Sequence, residues 1–257
     1  MIKSPLCRLS AVIFTAMLLA GCQSSAQKQI SEEKDLNRAK LHYQIGLDAL
    51  HKNQMPKAFD ELMKAEAINP NHADMLDALG YAWRLRGNLK KSESYYLRAI
   101  HAGGGASAHT NYGSLLLEMK RFEDAKLQLE KALEDPRYKN QFVAFINLGD
   151  AQLGLGDPDA AILSYRQAGA LNPRQTLSRI KEAEAYVSNK RYNYAQALYE
   201  TILRENNLNR AALEGLIRLL ALRNDSGAAR GYIKAYIEKS TSELDRAWAT
   251  DELDKLR

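Results

Sequence analysis

A small residue returns about every 34 positions along most of this chain, and that recurrence constrains the fold more than any other feature. Gly46, Gly80, Gly113, Gly149, Ala183 and Ile217 are separated by 34, 33, 36, 34 and 34 positions. Twelve residues after each stands Ala58, Ser92, Ala125, Ala161, Ala195 or Ala229. A third register falls at Ala65, Ala99, Ala132 and Ala168, and then at the larger Leu203 and Tyr236. Between the last two lie Leu62, Tyr96, Leu129, Tyr165, Tyr199 and Ile233. Small residues are wanted where two antiparallel helices approach closely, and large ones where the adjacent groove must be filled. The period therefore reads as one helical hairpin per repeat, and no strand alternation competes with it.

Proline and glycine punctuate the same frame. Pro56, Pro70, Pro136, Pro158 and Pro173 all fall at predicted helix junctions, where a missing N–H does least harm. Asp157-Pro158 reads as an N-cap and first helical residue, Asn69-Pro70 and Asn172-Pro173 as helix stops. Gly103-Gly104-Gly105 takes the place of a stop in the second repeat. The pattern resembles the tetratricopeptide repeat, a 34-residue helix-turn-helix unit. The resemblance implies an all-α fold, a right-handed α-solenoid of six tetratricopeptide helix pairs over residues 39–72, 73–105, 106–141, 142–175, 176–209 and 210–241. Residues 242–257, with Leu244, Trp248 and Leu256 among charges, read as a C-terminal cap helix that shields the apolar end of the stack.

Residues 1–21 read as a signal peptide. A basic start with Lys3 and Arg8 leads into an apolar run from Leu9 to Ala20, about a dozen residues where a bilayer span needs about 20. Leu19-Ala20-Gly21-Cys22 resembles the bacterial lipoprotein box, which implies cleavage before Cys22 and acylation of its sulfur. One acyl chain holds only marginally, and the several chains of this class make a lasting anchor. Cys7 leaves with the leader and Cys22 is consumed by lipid, so the mature chain has no free thiol and no disulfide. Gln23, where inner-membrane retention usually has Asp, favours the outer membrane. Residues 22–37, polar and without apolar periodicity until their end, are expected to form the lipidated start and a flexible tether.

The chain offers little for chemistry. Lys plus Arg outnumber Asp plus Glu by 36 to 31, and loss of Lys3 and Arg8 leaves a net charge of only about +3, too weak and scattered for a nucleic-acid footprint. His42, His51, His72, His101 and His109 lack metal-site spacing, and His42 and His109 share one repeat position, which reads as packing. No serine sits in a Gly-x-Ser-x-Gly elbow, and Gly154-Leu155-Gly156 reads as a turn between helices. No cofactor, metal or catalytic group is expected, and an enzyme is not.

What remains is a binding surface. In tetratricopeptide arrays the first helix of each pair lines the concave side through repeat positions 2, 5, 9 and 12. Carried onto this sequence, the resemblance implies partner contact at Tyr43, Leu47, Leu50, Asp77, Tyr81, Arg84, Thr110, Leu117, Ile146 and Asp150, joined by Asn111 and Asn147. The mixture is apolar with scattered charge and suits an extended or helical peptide. Position 5 holds no lysine in any repeat, so a lysine-rich carboxylate clamp is absent.

A more specific likeness lies mid-chain. Asn111-Tyr112-Gly113, Lys120-Arg121-Phe122-Glu123-Asp124-Ala125, Ala132-Leu133-Glu134-Asp135-Pro136-Arg137-Tyr138 and Asn147-Leu148-Gly149 resemble the PilF/PilW family of type IV pilus biogenesis and stability lipoproteins. The loop with Pro136 and Tyr138 accounts for the 36-residue spacing. The resemblance implies a pilotin: a lipid-anchored adaptor on the periplasmic face of the outer membrane that binds secretin subunits, or another pilus assembly protein, and promotes their localisation and multimerisation. A scaffold for tight-adherence pili, or for peptidoglycan hydrolases in the manner of NlpI, is the alternative.

Overall fold

The computed structural model describes the backbone of residues 5–256 and the side chains of residues 27–256. Among the described residues the chain is helical with no strand. It divides into two compact units after Gly104. The first holds α1 (Pro5–His51), α2 (Met55–Ile68), α3 (Ala73–Leu85) and α4 (Leu89–His101). The second holds α5 (Gly105–Glu118), α6 (Phe122–Leu133), α7 (Gln141–Gly154), α8 (Pro158–Leu171), α9 (Leu177–Ser188), α10 (Tyr192–Glu205), α11 (Arg210–Leu222), α12 (Ser226–Lys239) and α13 (Glu243–Asp254). Both are built from tetratricopeptide helix pairs, the α-solenoid class expected, with α13 following the last pair.

The small-residue registers are the contact points of each hairpin. A Cβ on Gly46, Gly80, Gly113 or Gly149 would stand 2.7, 2.7, 2.7 or 2.5 Å from the side chain of Leu62, Tyr96, Leu129 or Tyr165. Only glycine lets the first helix settle on that large residue of the second. Ala58, Ser92, Ala125, Ala161, Ala195 and Ala229 are each 0 % exposed. In the fifth repeat the third register is held by the fully buried Ile202, while Leu203, expected there, is half-buried one position on.

A further register was not anticipated. The turn inside each hairpin carries one residue in the left-handed region: Asn53, Gly87, Lys120, Gly156, Lys190 and Asn224, with φ between 56° and 80°. The following N–H closes back five residues, as in Arg121 N–H to Leu116 O at 2.8 Å and Arg191 N–H to Tyr186 O at 2.9 Å. This Schellman closure satisfies the last carbonyls of the first helix before the second begins. Helix starts are capped as their composition requires: Asp157 accepts from Ala160 N–H at 3.0 Å ahead of Pro158, and Asn209 and Asp225 do the same for α11 and α12. Asn69 and Asn172 are the C-caps of α2 and α8.

Two expectations are corrected. Residues 27–37, read as tether, continue α1 as an exposed helix. Their Gln, Lys, Glu and Leu content favours helix and contains neither Gly nor Pro, and Lys28 and Glu32 pair at i,i+4. In α13, Leu244 is 83 % exposed and takes no part in the cap, while Trp248 does, edge-on to Tyr236 at 5.7 Å beneath the Arg210 guanidinium, together with buried Ala249 and half-buried Leu256. The signal-peptide expectation for residues 1–21 and the lipidation expectation at Cys22 fall on residues whose side chains lie outside the described set. Among the described residues no helix is long and apolar enough to cross a membrane.

Candidate interaction site

The first helices present different chemistry in different repeats. In the first unit α1 and α3 carry Tyr43, Leu47, Asp77 and Arg84 half-buried, with Tyr81 44 % exposed. The Tyr43 ring meets the His72 ring at 5.2 Å, and with Lys40 and Asp74 these residues border a cavity of about 410 Å³. Burial, then the Asp74 and Asp77 carboxylates, push the Tyr43 hydroxyl up to about 12, so it remains a neutral donor at any physiological pH. Tyr96 is raised in the same way, by burial first and then by Asp77.

In the second unit α5 and α7 offer Asn111, Leu117 and Asn147 half-buried, with Ser114 beside them and no charge. From Asp150 onward the face is ionic. Asp150 Oδ1 accepts from Tyr165 O–H at 2.7 Å and from Lys181 Nζ at 3.1 Å. Lys181 reaches Glu184 at 4.0 Å, and Glu184 meets Arg218 at 3.6 Å, so one chain of alternating charge runs across α7, α9 and α11. Arg210 extends this edge, pairing with Glu214 at 2.8 Å and Asp245 at 3.6 Å. Each pair is partly exposed, so solvent screens its attraction. Burial, followed by Asp150, raises Tyr165 and keeps its hydroxyl donating.

Three of the expected contact residues are not on this surface. Leu50 and Ile146 are buried in the packing, and Thr110 is 2 % exposed with its hydroxyl donated to Ala106 O at 2.9 Å. Repeat position 5 lies where the groove meets the interhelix seam. There the compact Thr110, Ile146 and Ile180 are buried, while the longer or charged Tyr43, Asp77 and Glu214 stay half-buried. Asp150 is on the surface but engaged by Tyr165 and Lys181. Those two residues were missed, and the signal for Lys181 is that it occupies the repeat position of Asn111 and Asn147.

The histidines do structural work. His42 Nδ1 lies 2.7 Å from Glu61 Oε2, and His109 Nδ1 lies 2.8 Å from Gln128 Oε1, each tying a first helix to its second. The His42 contact and then Lys64 hold the Glu61 carboxyl below the usual range. His72 caps α3 by accepting from Met75 N–H at 3.1 Å. Among the described residues no cluster of three or more His, Cys, Asp or Glu is placed to hold a metal ion.

This geometry of stacked hairpins, glycine-seated tyrosines and a polar first-helix face is that of a repeat scaffold. The tetratricopeptide repeat family matches residues 110–175 and 180–243, about half the sequence, and the chain belongs to it. Over nearly its whole length it is similar to the type IV pilus assembly protein PilF of Pseudomonas aeruginosa, with 28 % identity across 228 residues, 88 % of this chain and 90 % of that protein. The solved structure of Pseudomonas aeruginosa PilF matches with a TM-score of 0.68 and 25 % identity, covering 86 % of this chain and 99 % of the other. That of PilW, described as a widely conserved type IV pilus biogenesis factor, matches with a TM-score of 0.74 over 85 % and 97 % of the two chains. At 16 % identity this second likeness speaks for the fold alone. The resemblance to PilF and PilW expected from the mid-chain motifs is thus found.

Proposed function

We propose that the chain is a non-catalytic adaptor of type IV pilus biogenesis: an outer-membrane lipoprotein, anchored at Cys22, that binds secretin subunits and promotes their localisation and multimerisation. The observation that carries this reading is the similarity to PilF along 88 % of the chain, which takes in both units and leaves little sequence for another activity. The first-helix faces support it. Half-buried Leu47 and Leu117 supply apolar contact, and the uncharged amides of Asn111 and Asn147 suit the backbone of an extended segment. Such a mechanism needs no reacting group. Mooring adaptor and subunit to one membrane raises their effective concentration, and a face that holds the assembly-competent subunit shifts its population toward the ring.

The test is Cys22→Ser in a pilus-forming host. The expected outcome is a folded chain lost from the outer-membrane fraction, with secretin multimers depleted on a denaturing gel. Multimers at the parental level would overturn the proposal. A second arm replaces Asn111 and Asn147 with Ala in the lipidated chain; the expected result is correct location with weakened capture of a purified secretin fragment.

A further inference from the structure

The first-helix face leaves a second feature of the molecule unexplained. A cavity of about 470 Å³ lies between α10 and α12, over Leu203 and the buried Leu213 and Tyr236. Arg204 and Lys239 stand on its rim. Arg204 donates to the Thr201 hydroxyl at 2.8 Å, and among the described residues neither cation has a carboxylate partner. The lining carboxylate, Glu200, is already engaged through Oε1 by Tyr232 O–H at 2.8 Å and Gln196 Nε2 at 2.9 Å. Neighbouring Glu205 is held by both terminal nitrogens of Arg179, at 2.9 and 2.6 Å. An apolar floor that fits one or two large side chains thus lies between two cations without an ion pair, with Glu200, hydrogen-bonded by neutral groups, as the acid in the lining.

The cavity lies beside the sixth hairpin, which departs from the glycine register. Where four earlier hairpins have glycine, the sixth has Ile217, and α11 touches α12 less closely than α7 touches α8. We propose that this groove docks a short acidic amphipathic peptide segment of a partner protein, its apolar side chain on Leu213 and Tyr236 and its carboxylates on Arg204 and Lys239. The charge pattern selects this occupant, since two cations against the single lining carboxylate leave the groove with a net positive charge that disfavours a basic segment. The inference stands apart from the reading of the first-helix faces and from the lipid anchor.

The experiment is a titration of the full chain, with methyl groups labelled for NMR, by a blocked ten-residue peptide of leucine, phenylalanine and glutamate. A counterpart with every glutamate replaced by lysine is the control. The expected result is that the acidic peptide shifts the Leu203 and Leu213 methyl resonances and the lysine peptide does not. Arg204→Glu with Lys239→Glu should weaken binding at least tenfold, with thermal unfolding unchanged because both side chains are exposed. Equal response to the two peptides, shifts confined to other leucines, or unaltered affinity in the double variant would overturn the proposal. So would either rival occupant: movement of the same resonances with protein concentration alone, as for a second copy, or with phosphatidylglycerol vesicles in place of the peptide. The comparison of the two peptides on the unmodified chain decides the matter even if the double variant fails to fold.

Discussion

The fourth and sixth hairpins share one blueprint and pack differently. In α7 and α8, Gly149 lies flat against the Tyr165 ring, and the tyrosine is 0 % exposed with its hydroxyl on Asp150 at 2.7 Å. In α11 and α12 the same two positions are Ile217 and Ile233, both buried in a cluster with Leu213, Tyr236 and Ala249. With a branched side chain in the seat of a glycine, these two helices touch less closely than α7 and α8 do. The difference teaches that glycine here sets the distance between helices, not the bend of the chain, and that a hairpin without it packs less closely.

The comparison breaks first at Tyr165. Tyr165→Ala removes a fully buried ring and leaves a cavity beneath Gly149, at an expected cost of about 3–5 kcal/mol in denaturant unfolding. Tyr232→Ala, at the half-buried rim of the α12 groove, is expected to cost far less. If both lose the same stability, the sixth hairpin is as tightly packed as the fourth and the contrast is wrong. Gly149→Ala comes next. Its new methyl would lie 2.5 Å from the ring, and overpacking of that kind costs about 1–3 kcal/mol.

Much of this was legible in the sequence. The glycine and alanine registers, the proline junctions and the hairpin starts near Ala73, Ala106 and Arg210 follow from period and cap chemistry, and α3, α5 and α11 begin within one residue of them. The left-handed turn register was hidden, because Asn53, Gly87, Lys120, Gly156, Lys190 and Asn224 share a conformation and not a residue type. Lysine in that region is held by the closure of the turn against its own preference. The candidate site was legible in part. Periodicity marks the first helices, but whether Thr110 or Ile146 faced out depended on side-chain reach at a seam that periodicity does not resolve. The ionic chain through Asp150, Lys181, Glu184 and Arg218 joins residues 31 and 34 positions apart, and only the folded stack brings them together.

A fourth substitution sharpens the contrast by reversing its sign. Gly231 lies in the interior of α12, where an added Cβ would meet nothing within 4 Å. Gly231→Ala should therefore raise stability by about 0.4–1 kcal/mol, through lower entropy of the unfolded chain and better helix propensity. The same chemical change made at Gly149 and at Gly231 is expected to move the unfolding midpoint in opposite directions. A loss at Gly231 would show that the helix is more crowded than its open surroundings indicate.

The smallest effect concerns the charged edge that distinguishes α7, α9 and α11 from the neutral face of α5. Asp150 and Lys181 have side chains about 30 % exposed, so solvent screens their attraction. A double-mutant cycle with Asp150→Asn and Lys181→Met isolates the pair from the losses each partner makes alone. The coupling energy expected is roughly 0.2–1 kcal/mol, falling as salt is raised. Tyr165 complicates Asp150→Asn, because its hydroxyl keeps a partner only if the asparagine oxygen takes the place of Oδ1. Repeating the cycle in a Tyr165→Phe background removes that hydrogen bond from every corner. If the coupling stays the same there, the ion pair acts on its own; if it vanishes, the tyrosine is what orients the carboxylate toward Lys181, and the ionic edge depends on the glycine-seated core behind it.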